Sequence, residues 1–128
     1  MGVGKYINRL QHIGIPTNNI EKTIAFYEGL GFDTIYRVAN GEELVAFLQL
    51  EDLQIETYQN HQAVLKDGAI DHMALDVHDI ETLFEEIQKV GYTLLTPEIQ
   101  SLPFWERGIR YFIIEGPNKE RIEFCEKL

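Results

Sequence analysis

The chain has 128 residues, enough for one domain with a core of its own, and its 45% hydrophobic and 25% charged content is ordinary for a globular protein. Its formal net charge of -10, with only 11 Lys plus Arg, argues against a nucleic-acid or anionic-membrane partner, because both need a basic face. A single cysteine allows no internal disulfide, no apolar leader opens the chain and no apolar run is long enough to span a bilayer; a cytoplasmic protein acting on a small molecule is the expectation.

In chain order, residues 8–16 end in alternating apolar positions and predict a strand, and Thr17-Asn18-Asn19 then offers side-chain oxygens that cap a helix. Ile20, Ile24, Tyr27 and Leu30 recur at helical spacing, and Gly29 and Gly31 supply the stop. Residues 32–38 predict a strand, Asn40-Gly41 a hairpin turn, 44–50 the returning strand and 53–58 a third. A polar connection over 59–69 leads to a second round: strand 70–77, helix 79–90, a strand from Tyr92, a long loop over 96–108, and strands 109–115 and 121–125 about the turn Gly116-Pro117-Asn118.

The second round repeats the first. Leu10-Gln11-His12-Ile13-Gly14-Ile15 lies over Ile70-Asp71-His72-Met73-Ala74-Leu75 at an offset of 60, and Gln54-Ile55-Glu56 over Arg121-Ile122-Glu123 at 67. Residues 1–128 therefore read as one α+β domain of two βαβββ modules, about 8–60 and about 68–126, each with one histidine near its start and one glutamate near its end. Strand alternation puts His12 with Gly14, His72 with Ala74, Glu56 opposite Ile55, and Glu123 opposite Ile122 and Phe124. All four polar residues leave the helix-covered face for the other. A lone histidine or glutamate there is ordinarily structural or solvated, but two matched pairs sharing a face invite a cation, because unpaired buried carboxylates are costly. His12, Glu56, His72 and Glu123 are thus the expected ligands of one divalent metal, and two imidazoles with two carboxylates and no thiolate suit Ni²⁺, Co²⁺, Zn²⁺ or Mn²⁺. His61, in the connection, and His78, at a helix start, are expected at the surface.

These residues, with the helix end Ile24-Ala25-Phe26-Tyr27-Glu28-Gly29-Leu30-Gly31-Phe32, Ile55-Glu56-Thr57-Tyr58, Asp71-His72-Met73-Ala74 and Arg121-Ile122-Glu123-Phe124, resemble the vicinal oxygen chelate superfamily over about 8–126. Its members include glyoxalase I, methylmalonyl-CoA epimerase, extradiol dioxygenases, fosfomycin-modifying enzymes and bleomycin-binding proteins. The resemblance implies a mixed sheet curled around a metal cleft, commonly in a homodimer. The Glu56 position separates the branches: glyoxalase I carries glutamate there and the epimerase glutamine. A glyoxalase I-like lyase or isomerase is therefore implied, removing a proton from a thiol hemithioacetal or related α-hydroxy carbonyl compound and stabilising the enediolate. Glu123 is the implied base and Glu56 the second. Asn60 matches a glutathione-contacting asparagine, whereas Pro16 stands where an arginine helps to hold glutathione, so another thiol adduct, or another α-hydroxy or α-keto compound, is an alternative expectation. Trp105 and Arg107, in the long loop, are expected substrate contacts. The alternatives are an acyl-CoA epimerase, which should want cations for the CoA phosphates, and a non-catalytic binding or resistance protein of the same fold.

Overall fold

A computed structural model describes residues 2–128. The chain divides into two compact units, Met1–Ala63 and Val64–Leu128, each built around one sheet backed by one helix.

In the first unit, β1 (Ile13–Thr17) leads into α1 (Ile20–Gly29), followed by β2 (Asp33–Asn40), β3 (Glu43–Leu50) and β4 (Leu53–Gln59). The sheet order is β1-β4-β3-β2, with β1 parallel to β4 and the remaining pairs antiparallel. The helix begins where expected because the Asn19 side chain accepts the Lys22 backbone N–H at 3.1 Å, satisfying a donor that the first turn leaves free. It buries Ile20, Thr23, Ile24 and Tyr27. The sheet contributes Ile15, Leu48, Ile55 and Thr57 to the core, and Tyr27 meets Phe32 edge to face at 5.3 Å. The Thr57 hydroxyl, buried there, donates to the Ile15 carbonyl at 2.9 Å and so joins the two parallel strands.

The second unit repeats this plan with β5 (Met73–Asp76), α2 (Ile80–Val90), β6 (Thr93–Leu94), β7 (Gln100–Leu102), β8 (Ile109–Glu115) and β9 (Arg121–Lys127). Its order is β5-β9-β8-β6, with β7 also paired to β8, and β5 runs parallel to β9. Phe112 packs between Phe84 of α2 and Phe124 of β9, each ring 5.0 Å away. The α+β reading and the mixed sheets stand.

Several boundaries differ from expectation. The first strand of each unit is shorter than predicted, beginning at Ile13 and Met73, because its only ladder partner is met from the pairs Ile13↔Ile55 and Met73↔Ile122 onward. His12 and His72 therefore stand one residue before the ladders. The first hairpin turns on Gly41-Glu42, since Asn40 already pairs with Glu43; Gly41 has φ +64°, a conformation that favours glycine. The loop expected over 96–108 contains β7, while the strand expected from Tyr92 shrinks to Thr93–Leu94.

Candidate metal centre

Each unit builds one imidazole–carboxylate pair by the same local means. In the first, Gly14 is paired in register with Glu56, and in the second Ala74 is paired with Glu123. The residue two after each histidine is thus small and lies opposite a glutamate. Ile55 and Ile122 are fully buried, so the glutamates that follow them project from the other face. The resulting distances agree closely: His12 Nε2 lies 3.4 Å from Glu56 Oε1, and His72 Nε2 lies 3.5 Å from Glu123 Oε1.

The outer ring nitrogens decide what these contacts are. His12 Nδ1 lies 3.0 Å from Gln11 Oε1, and His72 Nδ1 lies 2.9 Å from Asp71 Oδ2. A carboxylate or amide oxygen only accepts, so each Nδ1 carries a proton and, where that is the ring's one proton, the Nε2 lone pair faces its glutamate. Two acceptors then face each other, an arrangement stabilised only by a positive charge between them, from a second ring proton or from a cation. Imidazole Nε2 with a carboxylate oxygen, the far nitrogen tied back, is a donor set that fits a divalent metal. Among the described residues no group of three or more His, Cys, Asp and Glu side chains gathers to hold an ion, and each unit by itself offers one pair.

Surroundings distinguish the two pairs. Phe47, the ladder partner of Glu56, meets the His12 ring edge to face at 5.7 Å. On β9, Arg121, Glu123 and Cys125 share a face; Arg121 Nη1 reaches Asp71 Oδ1 at 3.2 Å. The hydrogen bond from His72 holds the Asp71 carboxyl below its ordinary range, and the Arg121 charge adds to this. Burial pushes the Cys125 thiol up, with the nearby Glu123 carboxylate acting in the same direction.

The remaining expected site residues lie elsewhere. Asn60 follows β4, and its side-chain oxygen is engaged locally by the Gln62 backbone N–H at 2.9 Å. Trp105 is 72% exposed, and Lys127 Nζ sits 4.4 Å from its ring centre. Lys127 is four residues beyond Glu123, so its backbone lies about 13 Å further along β9. Trp105 and Arg107 line a recess of about 470 Å³ with Leu102, Pro103 and Leu128. His61 and His78 are exposed, as expected. Gln11, Asp71, Arg121 and Phe47 were not singled out from sequence. The available signal was an oxygen-bearing side chain immediately before each histidine.

The chain is similar to known proteins in sequence and in fold. A Bacillus subtilis (strain 168) protein, the uncharacterized YwbC, is 36% identical over 126 residues, covering 93% of this chain and 98% of that one. The crystal structure of a glyoxalase family protein from Enterococcus faecalis superposes with TM-score 0.78 at 21% identity, over 94% of this chain and 99% of the other. The fosfomycin resistance protein FosX of Listeria monocytogenes, complexed with Mn(II) and sulfate, superposes with TM-score 0.73 at 17% identity, over 95% and 94%. Among the described residues no helix is long and apolar enough to cross a membrane. The model of the Glyoxalase/Bleomycin resistance protein/Dioxygenase superfamily matches residues 9–124, an interval that encloses both histidines and both glutamates, and the chain belongs to that superfamily.

Proposed function

We propose that this chain is a divalent-metal-dependent, glyoxalase I-like lyase or isomerase, with His12, Glu56, His72 and Glu123 as the ligands of one ion. Its main support is that both pairs point Nε2 at a carboxylate oxygen, at 3.4 and 3.5 Å, with Nδ1 tied back. The Mn(II) held by a protein of the same fold agrees with a divalent ion. Ni²⁺, Co²⁺, Zn²⁺ and Mn²⁺ all suit the donor set.

When bound, such an ion supplies Lewis-acid charge to vicinal oxygens of the substrate. The chain's own part is proton transfer. Glu123 takes the proton from the carbinol carbon of a hemithioacetal that bears an adjacent carbonyl, leaving an enediolate, and returns it to the former carbonyl carbon, while the hydroxyl proton passes from the carbinol oxygen to the former carbonyl oxygen, so that a thioester bearing an α-hydroxyl results with no net gain or loss of protons. Glu56 is the second carboxylate able to do so. Asn60, Trp105 and Arg107 are the proposed substrate contacts, and the working form is a homodimer.

Elemental analysis of the native protein, followed by a screen of hemithioacetals of several thiols with the found metal restored, tests the proposal. Stoichiometric metal with isomerase turnover is expected. Metal-free native protein that gains no turnover with any of the four ions would overturn it.

A further inference from the structure

The two imidazoles are held differently. His72 Nδ1 donates to a carboxylate oxygen of Asp71 at 2.9 Å, and the other oxygen of that carboxylate receives Arg121 Nη1 at 3.2 Å. Arg121 stands two residues before Glu123 on the same face of β9, and its Nε is buried with no hydrogen-bond partner. Leaving a buried N–H unmet is unfavourable, so the guanidinium is held where it serves Asp71 while one of its own donors goes unused. In the first unit the matching positions are Gln11 and Gln54. Gln11 offers His12 Nδ1 only a neutral amide oxygen, at 3.0 Å, and Gln54 turns to Gln49 at 3.5 Å. Among the described residues no cation backs the first histidine in the way that Arg121 backs the second.

We infer that Asp71 and Arg121 are positioning residues that make His72 the anchoring donor for the divalent ion, while His12, backed by a neutral amide, is the weaker and more readily exchanged donor. The inference rests on the metal site proposed above. An ionised carboxylate on Nδ1–H draws that proton outward and raises the donor strength of Nε2, whereas an amide oxygen orients the ring without comparable polarisation. With His72 on one oxygen and Arg121 on the other, the Asp71 carboxylate is held at both ends, which fixes its plane and hence the ring.

Binding of Co²⁺ alone to the metal-free protein, measured in competition with a chromophoric chelator, supplies the test. Asp71→Asn should weaken Co²⁺ binding about 10- to 100-fold, the usual scale for a carboxylate behind a metal-bound histidine. Gln11→Ala should weaken it less, and Gln11→Glu should strengthen it. Arg121→Met should lower affinity in the parent and add nothing to Asp71→Asn, because it acts through Asp71. In the metal-free protein, ¹⁵N NMR should report a strongly polarised Nδ1–H at His72, lost in Asp71→Asn, with the melting temperature unchanged by Arg121→Met. Parental affinity in both Asp71→Asn and Arg121→Met, or equal losses in Gln11→Ala and Asp71→Asn, would overturn the inference. Should Asp71→Asn fail to fold, parental affinity in Arg121→Met alone overturns it. His72→Ala separates the two levels: if it abolishes Co²⁺ binding while Asp71→Asn binds as the parent does, the site stands and the inference falls, and if it binds as the parent does, both fall.

Discussion

Glu56 and Glu123 occupy equivalent register positions but unequal surroundings: the side chain of Glu123 is 14% exposed and has the Cys125 thiol beside it, while that of Glu56 is 29% exposed with Phe47 as its ladder partner. The more enclosed carboxylate is the better placed to act on a substrate carbon away from bulk water, in agreement with Glu123 as the base. Glu123→Gln should therefore retain metal and lose about 10²-fold or more in kcat. Glu56→Gln should lose less, and steady-state kinetics on the metal-loaded variants decides between them; a dead Glu56→Gln beside a fully active Glu123→Gln would reverse the roles. His12, Glu56, His72 and Glu123 could be read from sequence because each occurs twice at a matched offset. Gln11 and Asp71 could not, since their role depends on which way an imidazole turns its Nδ1, and no periodicity carries that. Trp105 is expected at the substrate from its place in a long loop, and no sequence pattern marks its stacking on Lys127.

At the scale of elements, both helices are fastened by the last strand of their own unit. The Ile20 N–H donates to Gln59 Oε1 at 2.7 Å and the Ile80 N–H to Glu126 Oε1 at 3.0 Å, and Gln59 and Glu126 are related by the same offset of 67 as the two site glutamates. Each side chain satisfies a first-turn donor from across the fold. Gln59→Ala and Glu126→Ala should each lower the unfolding free energy by about 1 kcal/mol, measured by urea titration; no change in either would mean that water replaces the bond without loss. A charged fastening joins α1 to β2, where Glu21 bonds Arg37 and its carboxyl is held below the ordinary value of 4.5, first by that hydrogen bond. A depressed folded-state pKa adds stability that is present above the unfolded value and lost as pH falls through the folded one. Glu21→Gln should therefore lower the melting temperature at neutral pH, only slightly because the pair is exposed, and converge with the parent as pH falls below about 4.5, so that its acid fall is the shallower by that small amount. A steeper acid fall in the variant would refute this. Element type is legible for both helices and for every strand but β7, which lies in the expected loop, because helical and strand periods differ; strand starts are not, because they depend on where a neighbour begins.

For the whole molecule, the repeat is the most informative feature of the sequence, since each half carries the pattern of one strand, one helix and further strands. What it left open is which edges remain unpaired. In the first unit β2 closes the sheet order on one side and exposes Ile35, Tyr36 and Val38. A long, apolar, unpaired edge invites a second chain. Sedimentation at micromolar concentration should therefore give about twice 14.8 kDa, and a clean species at 14.8 kDa would reject the dimer.

Gly14 opposite Glu56 and Ala74 opposite Glu123 set how much room lies beside each carboxylate. A methyl group built at Gly14 would meet Tyr58 Cε1 at 3.6 Å and Glu56 Oε1 at 4.0 Å, ordinary contact distances. The first half can therefore accept the alanine that the second half already has. Each half thus carries its own independent setting of clearance, and substitution at one small residue retunes the space beside one carboxylate while the duplicate keeps its original shape.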